Sequence, residues 1–170
     1  IETRLIDCLD YAHPAMDHAN RPHHPVRKPD GRGHFHKTTL TCPEILKPFN
    51  MPFRRYGISP AALKAAIAKE PRPDAVFIGS MMTYWYPGVR ATIAALRKAH
   101  PKVPIILGGI YATLCREHAE QTSGADQVVP GAIDGRLLDV IDRLSGYTSR
   151  ASVDLNDVDA YPYPAWELRR

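Results

Sequence analysis

The second half of the chain alternates short apolar runs with segments of helical period. Residues 75–79 and 103–107 are dominated by Val, Ile, Leu and Phe, and 127–129 is a shorter run that ends in two valines. Apolar runs of this length are typical of strands that are buried on both faces of a parallel sheet. We therefore predict three strands at these positions.

Helical spacing of apolar residues predicts helices around these strands. Ser59 followed by Pro60 is typical of an N-cap and the first position of a helix. Three further helices are predicted, one from residue 88, one over about 112–122 and one around 137–144. Strands that alternate with helices imply crossover connections. The expected fold class is therefore α/β, with a doubly wound, mainly parallel sheet and helices on both faces.

The first third of the chain lacks this regularity. A strand is predicted at 3–9, directly at the start of the sequence. Residues 10–55 form an irregular segment rich in histidine and proline, which is either an insertion with its own local packing or a partly mobile segment. The sequence opens on a strand without Met and closes on the extended segment 161–166. We therefore expect it to be part of a longer polypeptide.

Length and composition narrow the class of protein. The 170 residues have room for one α/β domain, which we place at 1–150, followed by a linker at 151–170. Apolar residues make up 44% of the chain, and no apolar run is long enough to cross a membrane. Three widely separated cysteines, without a CxxC pair, argue against a disulfide scaffold and against a zinc or iron–sulfur site. We expect a cytoplasmic protein.

The formal net charge of +4 is concentrated in residues 1–72, which hold 12 Lys and Arg against 7 Asp and Glu. A basic stretch can attract nucleic acid, but here no aromatic residues alternate with the cations to stack on bases. Nucleic acid is therefore an unfavoured partner. Six histidines in the same region match no common metal-ligand spacing, so no metal site is predicted. They are His13, His18, His23, His24, His34 and His36.

Ligands of doubly wound sheets bind beyond the carboxyl ends of the strands. The predicted strands place three segments there, 80–88, 108–113 and 131–135. The first of them, SMMTYWYPG, suits a large, flat and partly apolar ligand because it holds three aromatic residues and two methionines. Equally, these rings can pack under a neighbouring loop or against another domain. Ser80 and Thr83 either hydrogen-bond such a ligand or cap the helix that follows.

Gly108 and Gly109 end the second strand without side chains, so a ligand can lie close to the backbone there. We expect a bulky residue at Gly109 to abolish ligand binding with little loss of fold. The sequence contains no G-x-G-x-x-G, no Walker-type loop, no G-x-S-x-G and no H-E-x-x-H. The usual nucleotide sites are therefore disfavoured, and no catalytic residue is predicted.

Three segments carry a resemblance to a known family. GSMMTYWYPGVRATIAAL (79–96), VPIILGGIYATLCREHA (103–119) and GADQVVPG (124–131) together resemble the cobalamin-binding-like N-terminal domain of radical S-adenosylmethionine enzymes. The resemblance implies a Rossmann-like domain with a corrin over the carboxyl edge of the sheet. By position, the residues that it implies around the corrin are Ser80, Met82, Thr83, Tyr84, Gly108, Gly109, Ile110, Tyr111 and Gly131.

The resemblance also implies that further cofactors are bound by a second domain of the same polypeptide. AYPYPAWEL (160–168) is similar to the linker that leads into the radical domain. The family's C-x-x-x-C-x-x-C is absent, so the iron–sulfur cluster and S-adenosylmethionine belong to a domain downstream, the expected partner in a methyltransferase-like parent enzyme. The sequence also lacks D-x-H-x-x-G, the motif that supplies an axial histidine to cobalt in methionine-synthase-like modules. The resemblance therefore implies a bound cobalamin without that ligand. At Gly131 the family's acidic turn is replaced by Ala132-Ile-Asp.

Two other functions compete with cobalamin binding. One is a scaffold that binds no corrin and docks the catalytic domain through exposed aromatic residues, namely Tyr84, Trp85, Tyr86 and Trp166. The other is a module that binds a nucleic-acid substrate through the basic residues of 21–55.

Overall fold

The computed structural model describes residues 2–10, 13–16, 35–131 and 135–146, together with residues 148, 154, 157–160, 163 and 168. It divides the chain into two units. The first unit consists of Ile1–Lys69 with Trp166–Arg170, and the second, here called the sheet unit, is Glu70–Ala165. The domain boundary predicted at residue 150 stays a prediction.

The first unit contains a two-stranded antiparallel ribbon and one helix. The ribbon pairs β1 (Lys37–Thr39) with β2 (Arg54–Tyr56), and the helix is α1 (Pro60–Lys69). The predicted N-cap of this helix is confirmed, because the Ser59 hydroxyl oxygen accepts the backbone N–H of Ala62 at 3.0 Å. A small core of this unit joins the start of the chain to α1. It consists of Met16, Ile58 and Ala62, with Ile6 and Leu63 packed against it.

The sheet unit contains the parallel sheet. In chain order its elements are β3 (Val76–Ser80), α2 (Tyr86–Ala99), β4 (Ile105–Gly109), α3 (Ile110–Leu114), α4 (Arg116–Thr122), β5 (Gln127–Val128) and α5 (Gly135–Ser145). Strand β4 lies between β3 and β5, and both pairings are parallel. The three strands and the helices between them confirm the predicted α/β alternation.

Helices cover both faces of the sheet. Helices α2, α3 and α4 connect the three strands, and α2 and α3 contact β3. They cover the face to which Leu107 points, because Ser80 on that face of β3 is buried whereas Phe77 on the other face is exposed. On the opposite face, α5 contacts β5, since an Arg143 N–H donates to the Gln127 side chain at 3.4 Å and Gln127 is the register partner of Ile106. Both Ile106 and Leu107 are fully buried. The doubly wound arrangement is confirmed.

An ion pair fastens the amino-terminal edge of this sheet. Near the end of α2, Arg97 donates to the carbonyl oxygens of Pro101 and Val103 at 3.2 and 3.0 Å and to the carboxylate of Asp126 at 2.6 Å. The same Asp126 oxygen accepts the backbone N–H of Ile105 at 2.7 Å. Burial raises the pKa of Asp126, but the hydrogen bonds from Arg97 and Ile105 and the charge of Arg97 outweigh it, so the pKa lies below its usual value.

We expect Asp126→Asn to destabilise the protein by about 1 kcal/mol at pH 7, because it removes a charged hydrogen bond whose contribution is reduced by partial exposure to solvent. A depressed carboxyl pKa stabilises the fold above the ordinary value of about 3.8, and this stabilisation is lost as the pH falls through the lower folded-state pKa. The difference between variant and wild type should therefore shrink below about pH 4 in urea unfolding curves.

Glu120→Gln is the matched control, because Glu120 pairs at 2.7 Å with Arg116 on the exposed face of α4. Its effect should stay within about 0.5 kcal/mol. Equal urea midpoints for Asp126→Asn and wild type at pH 7 would contradict the role of the pair.

The strand predicted at 3–9 is wrong. Described residues 2–10 contain no strand. The carboxylate of Asp7 accepts the backbone N–H of Leu9 at 2.9 Å, and its carbonyl oxygen accepts the N–H of Asp10 at 3.0 Å. An aspartate side chain that bonds the backbone two residues ahead favours a turn over an extended strand.

Two further predictions differ in part from the structure. The helix expected over about 112–122 begins at Ile110 and is interrupted at Cys115, whose backbone leaves the helical conformation at φ −127° and ψ 47°. The segment 10–55, expected to be irregular, contains β1, the start of β2 and a 3₁₀ helix at Glu44–Phe49, while its residues 11–12 and 17–34 lie outside the described residues. Within the described ranges, no helix has the length and apolar character needed to cross a membrane.

Candidate ligand-binding site

The carboxyl ends of the three parallel strands meet at one edge of the sheet unit. Strand β3 ends at Ser80, which is the register partner of Gly109, the last residue of β4. After β5, the Val129 N–H donates to the carbonyl of Leu107 at 2.8 Å and continues the pairing. The predicted segments 80–88 and 108–113 are thus brought to a common edge with the end of β5. Of the third predicted segment, 131–135, residues 132–134 lie outside the described residues.

Gly109 allows the ends of β3 and β4 to approach more closely than any side chain permits. Its φ of +87° lies in the left-handed region, and a Cβ at this position would stand 2.6 Å from the carbonyl oxygen and 2.8 Å from the nitrogen of Ser80. Both neighbours are backbone atoms held in the strand pairing, so they cannot move away. The expectation that a bulky residue at Gly109 would spare the fold is therefore wrong.

We expect Gly109→Ala to destabilise the protein by about 3 kcal/mol, because backbone strain at positive φ adds to the clash with Ser80. Gly79→Ala is the matched control, since nothing lies within 4 Å of a Cβ at Gly79 and its φ is not positive. That control should stay within about 1 kcal/mol of wild type. Urea denaturation measures both, and equal midpoints for the two variants would contradict the analysis.

Gly79 and Gly108 form a second bare region of the edge, here called the glycine shelf. They are register partners on adjacent strands, so they share the face opposite to that of Ser80 and Gly109. A Cβ at Gly79 would meet no atom within 4 Å, and one at Gly108 would meet only the carbonyl oxygen of Val129 at 3.7 Å. Backbone is therefore open to a ligand at the ends of both strands.

The loop after β3 folds into a short 3₁₀ helix, Thr83–Trp85. The buried Ser80 hydroxyl donates to the carbonyl oxygen of Met82 at 3.2 Å. Neither this 3₁₀ helix nor α2 has a side-chain N-cap, so the interpretation of Ser80 and Thr83 as helix caps is wrong. The loop carries Tyr84 outward, with 69% of that residue exposed.

Exposed apolar side chains surround this edge, and together they are called the apolar rim. They come from the loop after β3 and from the adjoining α3, and they are Met81, Met82, Tyr84, Ile110 and Leu114. Three of the predicted site residues, Met82, Tyr84 and Ile110, belong to this set. Methionine and tyrosine at such a surface adapt to flat, partly apolar ligands.

Tyr111 lies below the surface and not at the open edge. It is 1% exposed, and its hydroxyl is 2.8 Å from Nδ1 of His118. The ring of Tyr86 stands edge-on to His118, with their centroids 4.9 Å apart. A buried phenol needs a polar partner, which His118 supplies. Two of the aromatic residues expected at the edge, Tyr86 and Tyr111, thus pack with a histidine that the sequence did not single out.

Thr113 is a second residue that sequence reasoning missed. Its hydroxyl donates to the carbonyl oxygen of Gly109 at 2.9 Å and accepts the backbone N–H of Gly131, also at 2.9 Å. Gly131 has a φ of +90°. The hydroxyl therefore joins the loop after β5 to the end of β4, and it places Gly131 in the same site as Gly109.

The described residues include no group of three or more His, Cys, Asp or Glu side chains that could hold a metal ion. Of the six clustered histidines, only His13 and His36 are among them, and the other four lie outside the described residues. Nδ1 of His13 accepts the backbone N–H of Ala15 at 3.2 Å, and the carbonyl oxygen of the buried His36 accepts the N–H of Gly57.

A comparison with protein families matches the B12 binding domain at residues 50–140, more than half of the chain. The chain therefore belongs to the B12-binding domain family. The matched segment includes β3, β4, β5 and the three loops at the carboxyl edge. Searches of curated proteins and of solved structures found no match.

Proposed function

We propose that this domain binds a cobalamin whose corrin lies over the carboxyl edge of the sheet unit. The observation that carries the proposal is the convergence of the ends of β3 and β4 on open backbone, at Gly79 and Gly108. A broad ring system can approach an edge of this kind without displacing side chains. The match to the B12 binding domain over the same strands supports the proposal.

The chemistry of the edge fits a corrin. The ring is wide and largely apolar, and amide side chains extend from its periphery. The apolar rim offers thioether, aromatic and aliphatic contacts to such a ring, while the glycine shelf leaves room for atoms that lie below it. Residues Met82, Tyr84 and Ile110 would provide the apolar contacts, and Gly79 and Gly108 would allow the close approach of backbone.

The chain offers no D-x-H-x-x-G histidine to the cobalt. When bound, cobalamin would supply cobalt–carbon chemistry such as the transfer of a methyl group, and the protein would bind and orient it. We therefore expect the visible absorption spectrum of the complex to be that of a cobalamin without a histidine ligand from the D-x-H-x-x-G motif.

Hydroxocobalamin should be retained by the wild-type protein on gel filtration, with a shift in its visible absorption. Gly79→Leu should weaken this binding at least ten-fold with little change in the urea midpoint, because the added side chain fills the open space above the glycine shelf. Gly79→Ala adds a single methyl group and serves as the size control, with a smaller loss.

Absence of retained cobalamin at tens of micromolar wild-type protein would overturn the proposal. Equal affinities of wild type and Gly79→Leu would place the ligand elsewhere and would overturn the assignment to this edge.

We further propose that the domain serves a radical S-adenosylmethionine enzyme of methyltransferase type. The support is the pairing of GSMMTYWYPG with LGGIYAT, which resembles the cobalamin-binding-like domain of that family. The iron–sulfur cluster and S-adenosylmethionine would then be held by a downstream domain. An iron and sulfide determination on the purified parent polypeptide tests this, and a parent without a cluster would overturn it.

A further inference from the structure

We propose that Thr113 is a positioning residue of the cobalamin site, which fixes Gly131 in the place where the corrin meets it. The inference rests on the proposed function. Its basis is the pair of hydrogen bonds through which one hydroxyl connects Gly109 and Gly131, residues on two different loops of the site.

The bonds of Thr113 lie beyond the end of the strand pairing. Between β4 and the segment after β5, the last described backbone bond runs from the Val129 N–H to the carbonyl of Leu107. Two residues later, the N–H of Gly131 has the Thr113 hydroxyl as its acceptor. The side chain thus extends the connection from β4 to the third loop past the point where the described backbone pairing stops.

Both roles of the hydroxyl are fixed by its position. Thr113 stands four residues after Gly109, so its O–H donates to the carbonyl of the residue one helical turn earlier. The oxygen then accepts the N–H of Gly131, which lies 18 residues further along the chain. The β-branched side chain has few χ1 conformers, so this geometry costs little conformational entropy.

Because Thr113 is exposed, its two hydrogen bonds contribute more to the ligand-bound state than to the free protein. Thr113 is exposed, so water competes for both of its hydrogen bonds in the free protein. A ligand that covers the edge excludes this water, and the two bonds then become stronger in the less polar surroundings. Removal of the hydroxyl should therefore reduce ligand affinity more than it reduces stability.

The test compares three variants with wild type. Thr113→Val keeps the shape and removes both bonds, while Thr113→Ser keeps the hydroxyl. Thr122→Val is the matched control, because the Thr122 hydroxyl makes the same bond to a carbonyl four residues back, that of His118 at 2.7 Å. Its second contact, at 3.4 Å to Nδ1 of His118, stays within α4 and joins no second loop. The measurements are the dissociation constant for hydroxocobalamin, the urea midpoint and hydrogen exchange at the Gly131 amide.

We expect Thr113→Val to weaken cobalamin binding roughly ten-fold, as for the loss of two modest hydrogen bonds. Thr113→Ser and Thr122→Val should bind within about two-fold of wild type. In the ligand-free protein, the Gly131 amide should exchange faster in Thr113→Val than in wild type or Thr122→Val, with little change in the urea midpoint.

Four outcomes would overturn the inference. If wild type binds cobalamin and Thr113→Val binds it equally well, the inference fails while the proposed function stands. If Thr113→Val loses as much folding stability in urea as it loses in cobalamin binding, the role of Thr113 is structural only. The same holds if Thr122→Val loses as much affinity for cobalamin as Thr113→Val. If wild type retains no cobalamin, the proposed function fails and the positioning role fails with it.

Discussion

The close approach of Gly109 to Ser80 is the constraint on which the carboxyl edge of the sheet depends. A Cβ at Gly109 would come within 2.6 Å of a backbone oxygen, so the strands can end side by side only because this residue has no side chain. The positive φ of Gly109 also turns the chain from β4 directly into α3. Gly109 therefore determines both the close approach of the two strands and the start of α3.

The two edges of the sheet are built from different interactions. At the amino edge, Arg97 and Asp126 neutralise each other and satisfy the nearby backbone groups. At the carboxyl edge, the connections are a glycine contact and the hydroxyl of Thr113, and apolar side chains remain exposed around them. The amino edge thus fixes the start of the strands, whereas the carboxyl edge leaves apolar side chains and backbone exposed.

Local sequence patterns predicted the elements of the sheet but not the contacts that make the site. The apolar run at 103–107 predicted a buried strand, because full burial on both faces requires such residues. It did not show that Gly108 and Gly109 pair in register with Gly79 and Ser80, since a pairing of glycines has no hydrophobic period.

The remaining differences have the same physical origin. The turn at Asp7 depends on a side-chain hydrogen bond that outweighs an apolar run. The burial of Tyr111 depends on His118, which is seven residues away in the chain, and the role of Thr113 depends on a loop 18 residues away. Contacts between distant residues leave no periodic signal, so these parts of the site became visible only in the structure.

Exposed apolar residues at the edge are compatible with a docked protein as well as with a small ligand, so the apolar rim alone does not distinguish a scaffold from a cobalamin site. The glycine shelf is the feature that favours the proposed cobalamin site. A protein partner would have to project a side chain into the space above Gly79, whereas a flat ring covers both strand ends at once. The scaffold hypothesis explains Tyr84 and leaves Gly79 and Gly108 without a role. Cobalamin binding accounts for the rim and the shelf together.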